Sequence, residues 1–411
     1  MKFGEIFLGV LTAMGGFVEI GELTFTLNAG QQFDWALLWV VPLGTVGIMV
    51  YCEMAGRVAA VRGRPVFALV RERTGFNSAL LTLLASLAVN LLTCAAEIGG
   101  VALLLQLLLG SPYRLLILVT FAMLVLVVWF VSFKWIERIF GLGGLLLIVF
   151  LVAAVYFGPD WTHVAQGLLP HVPRDAGARE TLLYFFYAVA LLSSIMLPYE
   201  TYFYASGGIE DEWKPADVGL NRFVVLVGFA LGGLLSASLV GVGTEYFAPN
   251  EIQPQSPGAA ALGIAHVFGP IGLLLALGGM FFAFGGAAIE TALSSAYNLA
   301  QFAGWPWGKH LRRRHAGRFT LSWLATFALA AVVALSGVNP ISIVEYSIVF
   351  SVVILPFTYF PVLAVASDRT IMGKHANGPL ANALGWFYLV LITGAGIAAL
   401  PLLFLTHGGR G

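Results

Sequence analysis

Eleven apolar stretches run along the chain, at about residues 3–28, 35–60, 77–110, 113–133, 139–157, 180–206, 219–246, 260–303, 318–336, 341–366 and 381–406. Each reaches or approaches the roughly 20 residues a helix needs to cross the hydrocarbon core of a bilayer. Apolarity runs all round these stretches instead of alternating, which predicts helices rather than the short two-sided strands of a barrel. The first stretch contains acids and glycines, outruns the core of a signal peptide and has no small-residue cleavage site before a polar domain. It reads as a retained span. The expected architecture is an all-α polytopic membrane protein, one transmembrane domain over residues 1–411.

Composition agrees: 59% of residues are hydrophobic and 10% charged, with a mean hydropathy of +0.90. A soluble domain would need more charge to cover its surface. Basic residues set the orientation. Of the 21 Lys and Arg, only Arg114, Arg174, Arg179 and Arg410 fall on one side of this span pattern, and the rest, from Lys2 to Lys374, fall on the other. The predicted N-terminus is therefore cytoplasmic and the C-terminus external, in the cytoplasmic membrane of a prokaryote. The run "KHLRRRHAGR" (309–318) abuts a span and is read as part of this signal rather than as a nucleic-acid site.

Enzyme chemistry finds no foothold. The chain has no HExxH, no phosphate-binding GxxxxGK[ST] and no GxSxG. Cys52 and Cys94 fall on different spans, without the Cys/His clustering of a zinc site or a disulfide framework. No catalytic residue and no resident cofactor is expected.

Acids inside the spans carry the information. Glu19 and Glu22 share the first, and Glu97, Glu200, Glu290 and Glu345 fall in the third, sixth, eighth and tenth. None of these spans holds a Lys or Arg away from its ends. An ionised carboxylate near the bilayer centre costs several kcal/mol (about 2.5–3.5 on insertion scales) unless paired or hydrated. Without basic partners the compensating charge must be a proton, a bound cation or both. Glu345 lies close enough to a span end to be solvated, and Glu290 and Glu97 sit among small residues that suit interhelical hydrogen bonds. Glu19 and Glu22, three residues apart, share one helical face.

Backbone interruptions fall at the same places. Gly15, Gly16 and Gly21 break up the first stretch, and Pro198 frees carbonyls one turn back, near Ser194, in the sixth. Interruptions at positions one and six are what two inverted five-helix repeats produce, with a site between them at the midplane. The repeats would cover about 3–157 and 180–366, with an extra helix at about 381–406. Carboxylates and freed carbonyls make an all-oxygen cage suited to a hard cation.

Several segments resemble the Nramp divalent-metal transporters in order and spacing: "NAGQQFDWALLWVVPLG", "AGRVAAVRGRPVFALVRERTG", "FKWIERIFGLGGLLLIVF", "GPDWTHVAQGLLPHVP", "LPYETYFYASG", "GKHLRRRHAGRFTLSWLATFALA" and "ILPFTYFPVLAVASDRTIMG". The resemblance implies a LeuT-type 5+5 inverted repeat with helices one and six broken, and coupled cation uptake. It also implies a ligand set. The family's helix-one Asp-Pro-Gly-Asn aligns with Glu19, Ile20, Gly21 and Glu22, and its helix-six Met-Pro-His with Leu197, Pro198 and Tyr199. Its carbonyl ligand maps to Ser194, its second helix-six His to Tyr204, and its helix-three acidic pair to Cys94 and Glu97. Glu19, Glu22, Ser194 and Glu200 are the expected metal site, with Leu197, Tyr199 and Tyr204 lining it. Glu97 and Glu290 are candidates for a proton or coupling ion. Losing the family's thioether at Leu197 shifts the expected preference from soft transition metals towards Mg2+ or Mn2+, and losing both histidines leaves proton coupling open.

Two other classes compete. The same acids beside Tyr199, Tyr202, Phe203 and Tyr204 could hold an organic cation or amine by carboxylate pairing and cation–π contact. A ligand sensor without transport is the third, although no signalling domain is appended.

Overall fold

The computed structural model describes residues 18–172, 177–338 and 340–409. Its helices are α1 (Ile20–Phe33), α2 (Val40–Arg62), α3 (Val66–Thr74), α4 (Phe76–Leu109), α5 (Tyr113–Phe130), α6 (Phe133–Gly144) and α7 (Ile148–Tyr156). After the short α8 (Trp161–Gly167) come α9 (Ala178–Ile195), α10 (Pro198–Glu210), α11 (Val218–Val242), α12 (Leu262–Ala303), α13 (Gly317–Leu335), α14 (Pro340–Ser367) and α15 (Pro379–Leu405). Among the described residues, 10 helical stretches are long and apolar enough to cross a membrane. They match the second to eleventh stretches of the sequence within a few residues. Residues 3–17 of the first stretch, with Gly15 and Gly16, lie outside the described residues, as do Arg174 and Arg410.

Enclosure separates the spans. The α2 and α9–α10 stretches are 72% buried, whereas α5 is only 28% buried and turns its side chains outward. In a bilayer, apolar side chains gain nothing from leaving lipid, so close packing and interhelical hydrogen bonds must hold the bundle. Both are present. Where α1 crosses α11, a Cβ on Gly30 would run into the Val240 carbonyl, and one on Gly243 would run into the Leu27 carbonyl. Only glycine allows that approach. Polar links join distant spans: Thr93 and Ser347 hydroxyls at 2.9 Å, the Asn298 amide to Ser86 at 2.8 Å, and Tyr202 to the Thr358 carbonyl at 2.8 Å.

Two helices bend for identifiable reasons. In α12, Gly269 (φ 60°, ψ −149°) precedes Pro270, which has no N–H to continue the ladder. Between α9 and α10, Met196 (ψ 68°) and Leu197 (ψ 123°) leave the helical region before Pro198 restarts it as the first residue of α10. The sequence expected this break.

The ion pairs among the described residues lie at the ends of the bundle. Arg57, 3% exposed, donates to Glu53 at 3.0 Å, to Asn377 Oδ1 at 2.6 Å and to the His375 carbonyl, and Arg222 reaches Glu53 at 3.2 Å. This clamp ties α2 and α11 to the segment before α15. On the same face Glu210, its side chain 3% exposed, accepts from the Tyr297 hydroxyl at 2.8 Å, from the Lys309 and His310 backbone N–H groups and from His310 Nδ1 at 2.7 Å. The C-terminal end of α10 is thereby fastened to α12 and to the 304–316 loop.

Replacing Arg57 by Met should destabilise the protein by about 2 kcal/mol, below the ~3–5 kcal/mol of a fully buried pair because Arg222 still reaches Glu53. Thermal unfolding in detergent reads this as a lower Tm, and an unchanged Tm would show that the clamp does not hold the fold.

Candidate functional site

The centre of the molecule is a helix end. Val18 and Glu19 are extended, Glu19 at φ −108° and ψ 171°, and α1 begins at Ile20. The first N–H groups of a helix have no intrahelical partner and carry partial positive charge. Here Ile20 N–H donates to Glu97 Oε1 at 3.0 Å, reaching from α1 to the middle of α4. Glu97 is therefore a cap delivered by a neighbouring span. Its second oxygen is buried without a hydrogen-bond donor.

Glu19 and Glu22 flank that end. Glu19 is 2% exposed, and its carboxylate accepts from the Tyr199 phenol in the first turn of α10. Glu22 is fully buried and accepts from the Ser236 hydroxyl of α11. Glu19 lies within Coulombic reach of both Glu22 and Glu97. Glu19 Oε2 and Glu22 Oε2 have no donor, and neither does the buried Thr26 hydroxyl one turn beyond Glu22. Gly21 keeps the passage narrow, since a Cβ there would meet Ile348 of α14 at 2.6 Å and Glu19 Oε1 at 3.1 Å.

Glu200 goes elsewhere. Although 1% exposed and in the first turn of α10, it faces the Glu290 carboxyl on α12, and both of its oxygens are buried without a hydrogen-bond donor. Glu137 of α6 lies within reach of Glu290. The expected single cage of Glu19, Glu22 and Glu200 is thus not formed, because α10 presents Glu200 to α12 while Tyr199 faces Glu19. Among the described residues, no three His, Cys, Asp or Glu side chains lie close enough together to hold a metal. The acids form two groups, Glu19–Glu22–Glu97 and Glu200–Glu290, and Tyr199 feels the charge of both. None of the ion pairs among the described residues involves any of these five glutamates.

The helix-six break is placed as the sequence expected, but its side chains divide. Ser194 turns its hydroxyl back to the Leu191 carbonyl at 3.0 Å, and Pro198 has no N–H to offer the Ser194 carbonyl. Leu197 is buried, and its carbonyl accepts from the Tyr359 hydroxyl at 3.3 Å. Met196 packs its thioether over Gly47 of α2. Tyr204 does not line the centre: its hydroxyl donates to Asn221 at 3.0 Å, in the first turn of α11.

A cavity of about 400 Å³ opens beside α1, at the end of the bundle opposite the basic loops. It is lined by Thr24, Asn28 and Gln32 of α1, by Gln253 and Gln255, and by Glu345 of α14. Glu345, expected at a span end, is there and faces this cavity. Sequence reasoning missed Ser236, Gln253, Gln255 and Glu210. Of these, only "EIQPQSP" gave a signal, as a polar cluster between two spans.

Glu97→Gln keeps an oxygen for Ile20 N–H and should melt close to the unaltered protein, whereas Glu97→Leu orphans that N–H at a cost of about 1–3 kcal/mol. Equal Tm values for the two variants would remove the cap.

Against known proteins, the model of the natural resistance-associated macrophage protein-like (Nramp) family matches residues 9–401. The divalent metal cation transporter MntH of Ralstonia nicotianae is 28% identical over 95% of this chain and 88% of its own length. The protein of that name in Deinococcus radiodurans is 25% identical over 94% of this chain and 87% of its own. Among solved structures, the manganese transporter of Eremococcus coleocola superposes with a TM-score of 0.76 at 19% identity, covering 98% of this chain and 87% of that one. MhsT bound to L-phenylalanine superposes at 0.62 and 15% identity, covering 97% and 98%. These likenesses establish the LeuT-type fold.

Proposed function

Because the chain belongs to the natural resistance-associated macrophage protein-like family, we propose that it is a secondary transporter of divalent cations that works by alternating access. The observation that carries this reading is the helix end itself. Glu19, Glu22 and Glu97 are buried around it, each with an oxygen lacking a donor, and among the described residues no base is paired with any of them. A divalent cation supplies the missing positive charge. The names of the bacterial relatives, divalent metal cation transporters, support the same cargo.

The donors favour a hard ion. They are carboxylates, with the Ser194 carbonyl at the helix-six break and the Thr26 hydroxyl within α1. Leu197 offers no sulfur, and the Met196 thioether is committed to Gly47. Mg2+ and Mn2+ are therefore the preferred cargo over softer transition metals. To bind, the ion draws Glu22 from Ser236 and Glu19 from Tyr199, closing a cage that stands open in this conformation. It enters through the cavity lined by Gln32, Gln253, Gln255 and Glu345. Glu200 and Glu290, which face each other with no base beside them among the described residues, serve as the proton-carrying pair beside the path. The N-terminus faces the cytoplasm and the C-terminus the exterior, with two five-helix repeats related as the LeuT-type fold implies.

The test is calorimetric titration of the purified protein with Mn2+ and Mg2+, beside Glu22→Gln. Saturable heat is expected in the unaltered protein, weakened about 100-fold or more in the variant, since ligand charge sets affinity over decades. Uptake of the bound ion into proteoliposomes then separates transport from sensing. Absence of heat with both ions, together with binding of an organic amine, would move the function to the organic-cation reading.

A further inference from the structure

A second site lies on the face that carries the basic loops. Between the C-terminal end of α5 and the loop 308–316 is a cavity of about 540 Å³. Lys309, Arg312, Arg313 and Arg314 line it, and no acidic residue does. None of these four cations takes part in an ion pair among the described residues. Charges gathered merely to orient a span would spread into water, but two of these are fastened. The Lys309 ammonium donates to the Val128 carbonyl and the Arg313 guanidinium to the Trp129 carbonyl. Both carbonyls belong to the last turn of α5, which has no helical donors of its own. Arg313 also stacks over the Trp129 ring at 4.4 Å. The loop is held in place from its other side by Glu210, which accepts from the Lys309 and His310 backbones.

The result is a rigid concentration of like charge that repels itself. Lys309 is pushed down to about 8, by burial first and by neighbouring Arg313 second, against the opposite pull of Glu210. An anion would relieve that repulsion. The cavity wall says which kind. Trp129, Leu311 and Trp323 give it an apolar, aromatic side, and α5 is the least enclosed span. Phe130 is 73% exposed and Leu321 66% exposed beside it. Apolar and aromatic side chains left outward at a span end mark the membrane–water interface, the depth of the phospholipid phosphates.

We propose that this cavity binds the phosphate headgroup of an anionic phospholipid, with Arg312, Arg313, Arg314 and Lys309 around the phosphate and Trp129 and Trp323 against the glycerol and upper acyl chain. Positive charge near the headgroups accounts for attraction to the leaflet in general. A cavity whose cations are pinned to helix-end carbonyls accounts for a defined stoichiometry. The proposal stands apart from the cation path.

Native mass spectrometry of the full chain in detergent tests it, using phosphatidylglycerol and phosphatidylcholine as probes. The variant is Arg312→Gln/Arg314→Gln, which leaves both bonds to α5 intact and so preserves the fold. A charge-matched control is Arg62→Gln/Lys374→Gln. One phosphatidylglycerol should bind in preference to phosphatidylcholine, with affinity falling about fivefold for each cation removed at the cavity and holding in the control. Equal losses in the two variants would reduce the effect to net charge and overturn the site. Displacement of phosphatidylglycerol by inorganic phosphate would overturn the lipid assignment in favour of a free-phosphate site. Binding unaffected by Arg312→Gln/Arg314→Gln would also overturn it.

Discussion

Everything at the centre of this protein follows from one bond, the Ile20 N–H donated to Glu97. A helix that starts inside a membrane exposes backbone groups where no bulk water can satisfy them. Something must reach across to cap it, and here α4 supplies a carboxylate. That carboxylate fixes the distance between α1 and α4. It also commits a negative charge to the middle of the bundle, where Glu19 and Glu22 add two more. The backbone problem is thereby solved by creating an electrostatic one. No Lys or Arg resolves it, and a transporter can exploit that imbalance, since a charge deficit satisfied from within the chain would leave nothing for cargo to do.

The second break distributes the remaining chemistry. Because Pro198 restarts the helix immediately before Tyr199 and Glu200, two adjacent side chains leave α10 in different directions. Tyr199 turns to Glu19 and Glu200 to Glu290. A one-residue step rotates a side chain by about 100° around a helix, so neighbours in sequence serve different groups of acids. The phenol between them has no second donor to give. It can satisfy one carboxylate at a time, and here that carboxylate is Glu19.

Much of this was legible before any coordinates. Span positions follow from all-round apolarity, which depends only on local composition, and the helix-six break from Pro198, whose effect is local too. The acids were legible because their cost is high wherever they sit. Their partners were not. Ser236 meets Glu22 across 214 positions of sequence, and nothing in "GGLLSASLVGVG" marks that serine over its neighbours. Glu200 faces Glu290 rather than Glu19 in this arrangement, and its face on α10 depends on where the helix restarts. Tyr204 was expected inward on a family alignment, but Asn221 draws its hydroxyl to the first turn of α11. Glu210 looked like one more loop acid in "GGIEDEWKPADVG", and its burial emerges only when Tyr297 and the 304–316 loop fold over it.

That buried Glu210 has a mechanical meaning. The helix it terminates is 13 residues long, a stiff rod of about 20 Å, with Tyr199 and Glu200 at the far end. One tip of the rod is pinned through Glu210 to Tyr297 and the 304–316 loop, and the other carries the two side chains that meet the groups of acids. Such a rod has a fulcrum and a load. A displacement of the 304–316 loop is therefore carried along α10 to Tyr199 and Glu200, and the two ends of the rod cannot move independently.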